Sequence, residues 1–144
     1  MANPKNKTDA PKVSKSEAEW REQLTPLQYE VTRKHGTERP FSDNGHDCKD
    51  TGVYHCVCCD TPLYASDTKY DSGTGWPSFF APISEEAVAY RDDRSLFRRR
   101  TEVICGTCHA HLGHVFEDGP KPTGLRYCMN GAAMNLHKNE GGED

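Results

Sequence analysis

The sequence predicts a mainly β fold of largely antiparallel strands, with two short helices at its N-terminal end. Three observations carry this reading. Both capping boxes in the chain lie before Gly36. After Gly45 the rhythm changes to short segments broken by Gly, Pro and Asp, as strands and turns require. Two Cys-x-x-Cys pairs offer a metal staple to a chain of 144 residues that is 34% hydrophobic and 28% charged. A single domain with one thin core fits that length and composition.

Taken in order, residues 1–15 are rich in Lys, Asn and Pro and are expected to form a disordered tail. Ser16-Glu17-Ala18-Glu19 and Thr25-Pro26-Leu27-Gln28 are capping boxes, the second with Pro at the first helical position. Leu27 and Val31 share a face and Gly36 is a natural stop, so helices are expected over 16–24 and 26–35. Strands are expected at Val53–Val57, Leu63–Ala65, Ser95–Ile104, Gly113–Phe116 and Arg126–Leu136. Asp71–Pro77 reads as a Gly-rich loop, Glu117–Pro120 as a turn, and Ser84–Ala89 as a short helix capped by Ser84. The domain is thus placed at 16–137, with a fraying tail over 138–144.

A formal net charge of −4 argues against nucleic acid as a partner. The run Arg98-Arg99-Arg100 reads as a strand with a solvated outer face. No apolar run approaches the roughly 20 residues of a membrane helix. The first residues have lysines but no apolar segment of the secretory kind, so a cytoplasmic protein with reduced thiols is expected.

Cys56 with Cys59, and Cys105 with Cys108, have the spacing at which two thiolates of one tight turn reach a single metal. Two such pairs complete a tetrahedral set, which predicts one structural zinc ion with no open position. The 45 residues separating Cys59 from Cys105 must hold structure of their own. Ligation through Cys58 in place of Cys59, or through His111 or His114 beside Cys105 and Cys108, is the alternative. Cys48, Cys58 and Cys128 are then left over. Cys128 is the candidate nucleophile: Arg126 at i−2 favours a thiolate, and Asn130 at i+2 can donate a hydrogen bond on the same strand face. The bland readings are a buried cysteine, a structural histidine pair at His111 and His114, and a core aromatic at Trp76.

Gly75-Trp76-Pro77-Ser78-Phe79, His111-Leu112-Gly113-His114-Val115-Phe116 and Arg126-Tyr127-Cys128-Met129-Asn130, together with the two cysteine pairs, closely resemble the methionine-R-sulfoxide reductases of the MsrB type. Gly36–Phe41 and Gly119-Pro120 are also family-like, and the resemblance runs from Trp20 to Leu136. It implies two antiparallel sheets, with the zinc on the side away from the active site. It implies that methionine (R)-S-oxide in proteins is reduced through a cysteine sulfenic acid, regenerated by thioredoxin or another thiol reductant. Cys128 would attack the sulfoxide sulfur, while His111 and His114 polarise and protonate its oxygen. Their i, i+3 spacing does not share a strand face, so a turn at Gly113 is expected to bring the rings together. Trp76 and Phe116 would cage the methyl group.

Many members of that family carry a resolving cysteine just before the Trp, where this chain has Thr74. Either Cys48, in a polar Gly/Asp-rich segment, resolves the sulfenic acid, or the reductant attacks it directly. The partners expected are oxidised proteins and a thioredoxin-like reductant, with no nucleic acid, no membrane and a monomeric chain. The alternative function is a zinc-stapled β-domain that binds a protein partner without catalysis. Such a module has no need of Arg126-x-Cys128-x-Asn130 or of two histidines at this spacing.

Overall fold

The computed structural model describes residues 11–42, 44–93 and 100–138. The expected tail therefore lies mostly outside the described residues, as do 139–144 and Arg98-Arg99. The described end of the tail is held, since the N–H groups of Lys12 and Val13 donate to the Thr107 carbonyl. Lys138 closes the last strand, so residue 138 does not belong to the fraying end expected from the composition.

Helices α1 (Glu17–Gln23) and α2 (Pro26–Arg33) start at the two capping boxes, and in each the cap hydroxyl and the Glu or Gln side chain satisfy each other's backbone N–H. The helical chain ends earlier than Gly36 implies. His35 itself takes the left-handed conformation, at φ 59°, and Gly36 donates back to the Glu30 carbonyl. Trp20, Tyr29, Val31 and Thr32 are buried, whereas Leu27 is 52% exposed, because the first turn of α2 stands in solvent. Arg33 lies over the Trp20 ring at 4.2 Å.

Among the described residues nine strands follow: β1 (Gly52–Cys56), β2 (Pro62–Ala65), β3 (Lys69–Tyr70), β4 (Ser78–Phe79), β5 (Val88–Asp93), β6 (Arg100–Cys105), β7 (His111–Phe116), β8 (Arg126–Met129) and β9 (Met134–Lys138). They form two antiparallel sheets, ordered β2-β1-β9 and β3-β4-β8-β7-β6-β5. Leu63, Tyr64, Phe79, Val103, Leu112 and Met129 fill the core, where Tyr64 stacks on Phe79 at 4.5 Å.

Two expectations change here. The short helix expected from Ser84 is a single 3-10 turn, Glu85–Ala87, and the Ser84 side chain makes no cap. Val88-Ala89-Tyr90 then continues as β5, where β-formers gain more from pairing with β6 than from winding. The long strand expected over Arg126–Leu136 breaks at Asn130. A 3-10 turn at Gly131–Ala133 carries the chain from β8 in the larger sheet to β9 in the smaller one. Gly131 is required there, since a Cβ would run into the carbonyl of Asn44.

Gly113 lies in β7 opposite Met129, where a Cβ would run into the carbonyl of Cys128. Gly113→Ala should therefore lower unfolding free energy by about 3 kcal/mol through forced separation of β7 from β8. Gly124→Ala, at φ 75° with open space around it, should cost about 1 kcal/mol from backbone strain alone. Urea unfolding of both variants checks the contrast.

Candidate active site

Strand register assembles the site. Tyr70, Ser78, Cys128, His114, Glu102 and Arg91 lie directly opposite one another in successive strands, forming one row across the larger sheet. Residues opposite each other in antiparallel pairs present side chains to the same face. Cys128 and His114 are thus immediate neighbours although fourteen positions apart. Beside them opens a cavity of about 430 Å³, lined by Thr74, Trp76, His114, Phe116, Arg126, Cys128 and Asn130, with Thr37, Arg100, Gly113, Asp118 and Met129.

Burial pushes the Cys128 thiol up from its ordinary value, and outweighs Arg126 and the Thr74 hydroxyl, which both favour the thiolate. The resting thiolate expected from Arg126 is therefore corrected to a resting thiol. Arg126 is itself paired: its Nε and Nη2 donate to Asp118 at 2.8 and 3.1 Å. Its guanidinium also lies 4.4 Å over the Phe116 ring, which fixes one wall of the cavity. Trp76 forms another wall, held by its indole N–H on the Glu38 carbonyl at 3.1 Å.

The two histidines have different surroundings. His114 lines the cavity, and its Nε2–H donates to Asp93 at 2.8 Å; Arg100 donates to the same oxygen at 3.1 Å. Burial lowers the His114 pKa despite the pull of Asp93, so the resting ring is neutral with Nδ1 as acceptor. His111 is 3% exposed and does not line the cavity. Its Nδ1–H donates to the buried Glu102 carboxylate at 2.7 Å. The rings meet at 5.6 Å in a T-shaped arrangement. No turn at Gly113 produces this. The register slips between Val103 and Ile104, leaving Leu112 as the extra residue of a bulge that rotates His111 toward His114's side.

Asn130 lies just past β8, and its amide is committed elsewhere. It donates to the Leu112 carbonyl at 3.1 Å and accepts from the Glu38 N–H at 3.0 Å. Sequence reasoning assigned no role to Glu38, which is 4% exposed and acts as a hub. Its carboxylate accepts from the N–H groups of Gly131 and Ala132 and from Asn44, while burial raises its pKa against those donors. A lone Glu between Thr37 and Arg39 gave no signal of burial. Cys48 does not line the cavity; it lies in a separate hollow with Lys69, beyond Tyr70 of the edge strand.

The other cysteine group is a metal site in geometry. The sulfurs of Cys56, Cys59, Cys105 and Cys108 lie within 4.8 Å of one another. Cys56 to Cys108 is 3.7 Å and Cys59 to Cys105 is 3.5 Å. A tetrahedral ion bonded at about 2.3 Å to each sulfur needs edges of about 3.8 Å, so the set fits. The two knuckles are copies: Asp60 and His109, each following its second cysteine, have φ of 67° and 65° and donate back to the first cysteine's carbonyl. The Cys58 and Thr107 N–H groups donate to the Cys56 and Cys105 sulfurs, each at 3.4 Å. Cys58 itself is buried in the knuckle turn, outside the cluster. None of the four sulfurs lines the Cys128 cavity.

If Asp118 answers the Arg126 charge, Asp118→Asn should release it. Alkylation of Cys128 by iodoacetamide at neutral pH should then speed up about threefold, the effect of half a pKa unit. An unchanged rate would show that burial alone sets the thiol.

A family model described as the SelR domain matches residues 24–138. The peptide methionine sulfoxide reductase MsrB of Hahella chejuensis is 56% identical over 130 residues, covering 90% of this chain and 94% of that protein. The protein of the same name from Agrobacterium fabrum is 55% identical over 125 residues, or 87% and 93% of the two chains. The chloroplastic peptide methionine sulfoxide reductase B1 of rice is 54% identical over 128 residues, 89% of this chain and 60% of that longer one. By sequence likeness over nearly its full length, this chain belongs to the MsrB family of peptide methionine sulfoxide reductases.

Proposed function

We propose that this protein reduces methionine (R)-S-oxide in oxidised proteins to methionine, with Cys128 as nucleophile and His114 as the group that moves its proton. The observation that carries the reading is the placement of Cys128 opposite His114 at a cavity walled by Trp76 and Phe116. Family membership supports the reaction, and the relatives' printed names supply its substrate class.

The chemistry follows from the resting protonation states. A neutral His114 accepts the Cys128 proton, which creates the thiolate. The thiolate attacks the sulfoxide, the substrate's S–O bond breaks, and a new S–O bond forms on Cys128. The imidazolium returns the proton to that oxygen. Thiol plus sulfoxide thus becomes sulfenic acid plus thioether, and Cys128 is oxidised by two electrons. Asp93 holds the imidazolium through Nε2, Arg126 favours the thiolate, and Trp76 and Phe116 hold the methyl group, which selects one epimer. Asn130 acts from behind, locking β8 to Leu112 and Glu38.

A dithiol of the thioredoxin kind then attacks the sulfenic sulfur directly, releasing water and finally a disulfide on the reductant. Thr74 at the loop position before Trp76, and Cys48 in its separate hollow, support the direct route. A zinc ion is the metal that four thiolates at these distances suit best. It would tie the end of β1 to the end of β6 and supply no chemistry to the cavity. A thiolate site of that kind supports a reducing, cytoplasmic setting. On this reading the protein is a monomer acting as a single domain over 16–137. Among the described residues no helix is long and apolar enough to cross a membrane. A purely binding zinc-stapled domain would leave the buried thiol opposite a histidine without purpose.

Cys128→Ser should abolish reduction of a methyl-(R)-sulfoxide peptide while keeping one zinc per chain by metal analysis. Residual turnover above background would remove Cys128 from the reaction, and loss of zinc would mean the two sites are not independent. Cys48→Ser should leave turnover within about twofold with either thioredoxin or dithiothreitol as reductant. A selective loss with thioredoxin would make Cys48 the resolving thiol.

A further inference from the structure

Beyond His114 the row continues into a buried network that the reaction as written does not use. Glu102 is 6% exposed, a buried carboxylate. Its Oε2 accepts from His111 Nδ1 at 2.7 Å, and His35 Nδ1 lies 3.1 Å from the same oxygen. His35 comes from the far side, off the end of α2, with its ring 5.3 Å from that of His111 and its side chain 53% exposed. It reaches inward because its backbone is in the left-handed region. The charged and titratable groups facing Glu102 are therefore His35 from the helix end, Arg91 from β5, and His111 and His114 from β7. Asp93 and Arg100 face each other and His114 one step along the sheet.

We propose that Glu102 is a positioning residue of the reaction, and that His35 holds it in place from the solvent side. This rests on the reading of Cys128 and His114 given above. Two physical effects are combined. Accepting the Nδ1 proton of His111 fixes that ring's tautomer and orientation, so its face and edge are presented to His114 in one arrangement. A carboxylate kept ionised in the row beside His114 also favours the imidazolium that forms when His114 takes the Cys128 proton. Asp93 cannot supply this charge alone, because Arg100 shares its oxygen with His114. Removing the charge while keeping the shape should therefore disfavour the thiolate–imidazolium pair without changing the cavity.

The test uses the full-length zinc-loaded protein and reads two quantities. The first is single-turnover formation of the Cys128 sulfenic acid from a methyl-(R)-sulfoxide peptide. The second is the alkylation rate of Cys128 in the absence of any sulfoxide. Glu102→Gln should slow the first by about a hundredfold, the scale of a misplaced acid–base partner, with KM within about twofold. The falling limb of its rate against rising pH should move to lower pH, since the imidazolium is held less firmly. Alkylation at neutral pH should slow several-fold in parallel, and Glu102→Asp should recover part of both. His35→Asn, a surface change that leaves Glu102 in place, should give the same shifts at about threefold. It decides the matter if Glu102→Gln does not fold.

Folded variants with the wild-type pH profile and wild-type alkylation rate would overturn the role of Glu102. A wild-type protein that reduces no sulfoxide would overturn the reaction instead. The alkylation arm would still report whether Glu102 supports the shared proton.

Discussion

The structure depends most on the antiparallel register of β8 against β7, which sets Cys128 directly opposite His114. A slip of one residue would turn Cys128 to the core and set Tyr127 or Met129 opposite His114 in its place. Several unrelated features hold that register. Gly113 lets the two backbones come together where any side chain would meet the Cys128 carbonyl. Asn130 ties the end of β8 to Leu112, and Glu38 ties the following turn to the Trp76 indole. Tyr127, on the other face of β8, packs near Tyr64 and shares a hydroxyl hydrogen bond with Tyr90 at 2.8 Å.

Once register is fixed, burial sets the chemistry. The same desolvation that raises the Cys128 thiol lowers the proton affinity of His114. The pair therefore rests as thiol and neutral imidazole, and a proton passing between them creates both charges at once. Arg126 and Asp93 lie one on each side of that transfer, and each is partly answered by its own partner, Asp118 or Arg100. Two weakened countercharges leave the balance near neutral. A thiol that rests protonated is less open to idle oxidation than a thiolate.

The cysteine cluster works at the other level, by joining sheets. Cys56 ends β1 in the three-stranded sheet and Cys105 ends β6 in the six-stranded one. With a metal bound, four thiolates bridge two layers that otherwise meet through a thin core. Arg33 of α2 reaches the Cys108 carbonyl at 3.0 Å and sulfur at 3.4 Å, so the helices are tied to the same point. The six-stranded sheet is thus braced at the Cys105 end of β6, and none of the four cysteines lines the cavity.

By itself the sequence determined the helix starts, the pairing of Cys56 with Cys59 and Cys105 with Cys108, and the residue types of the site. Those are local matters: a capping box spans four residues, and a metal knuckle spans four more. Its motifs also pointed to the family. Tertiary structure alone decided that His111 retreats onto Glu102 while His114 faces the cavity, because a bulge at Leu112 depends on how β7 meets β6. It decided that Cys128 is desolvated enough to rest as a thiol, although Arg126 beside it favours the thiolate. It decided that Arg126–Leu136 breaks at Asn130, and that Glu38, unremarkable in the chain, is a buried hub. Each of these turns on partners far away in sequence and on how much water is excluded around them, quantities that no local pattern contains.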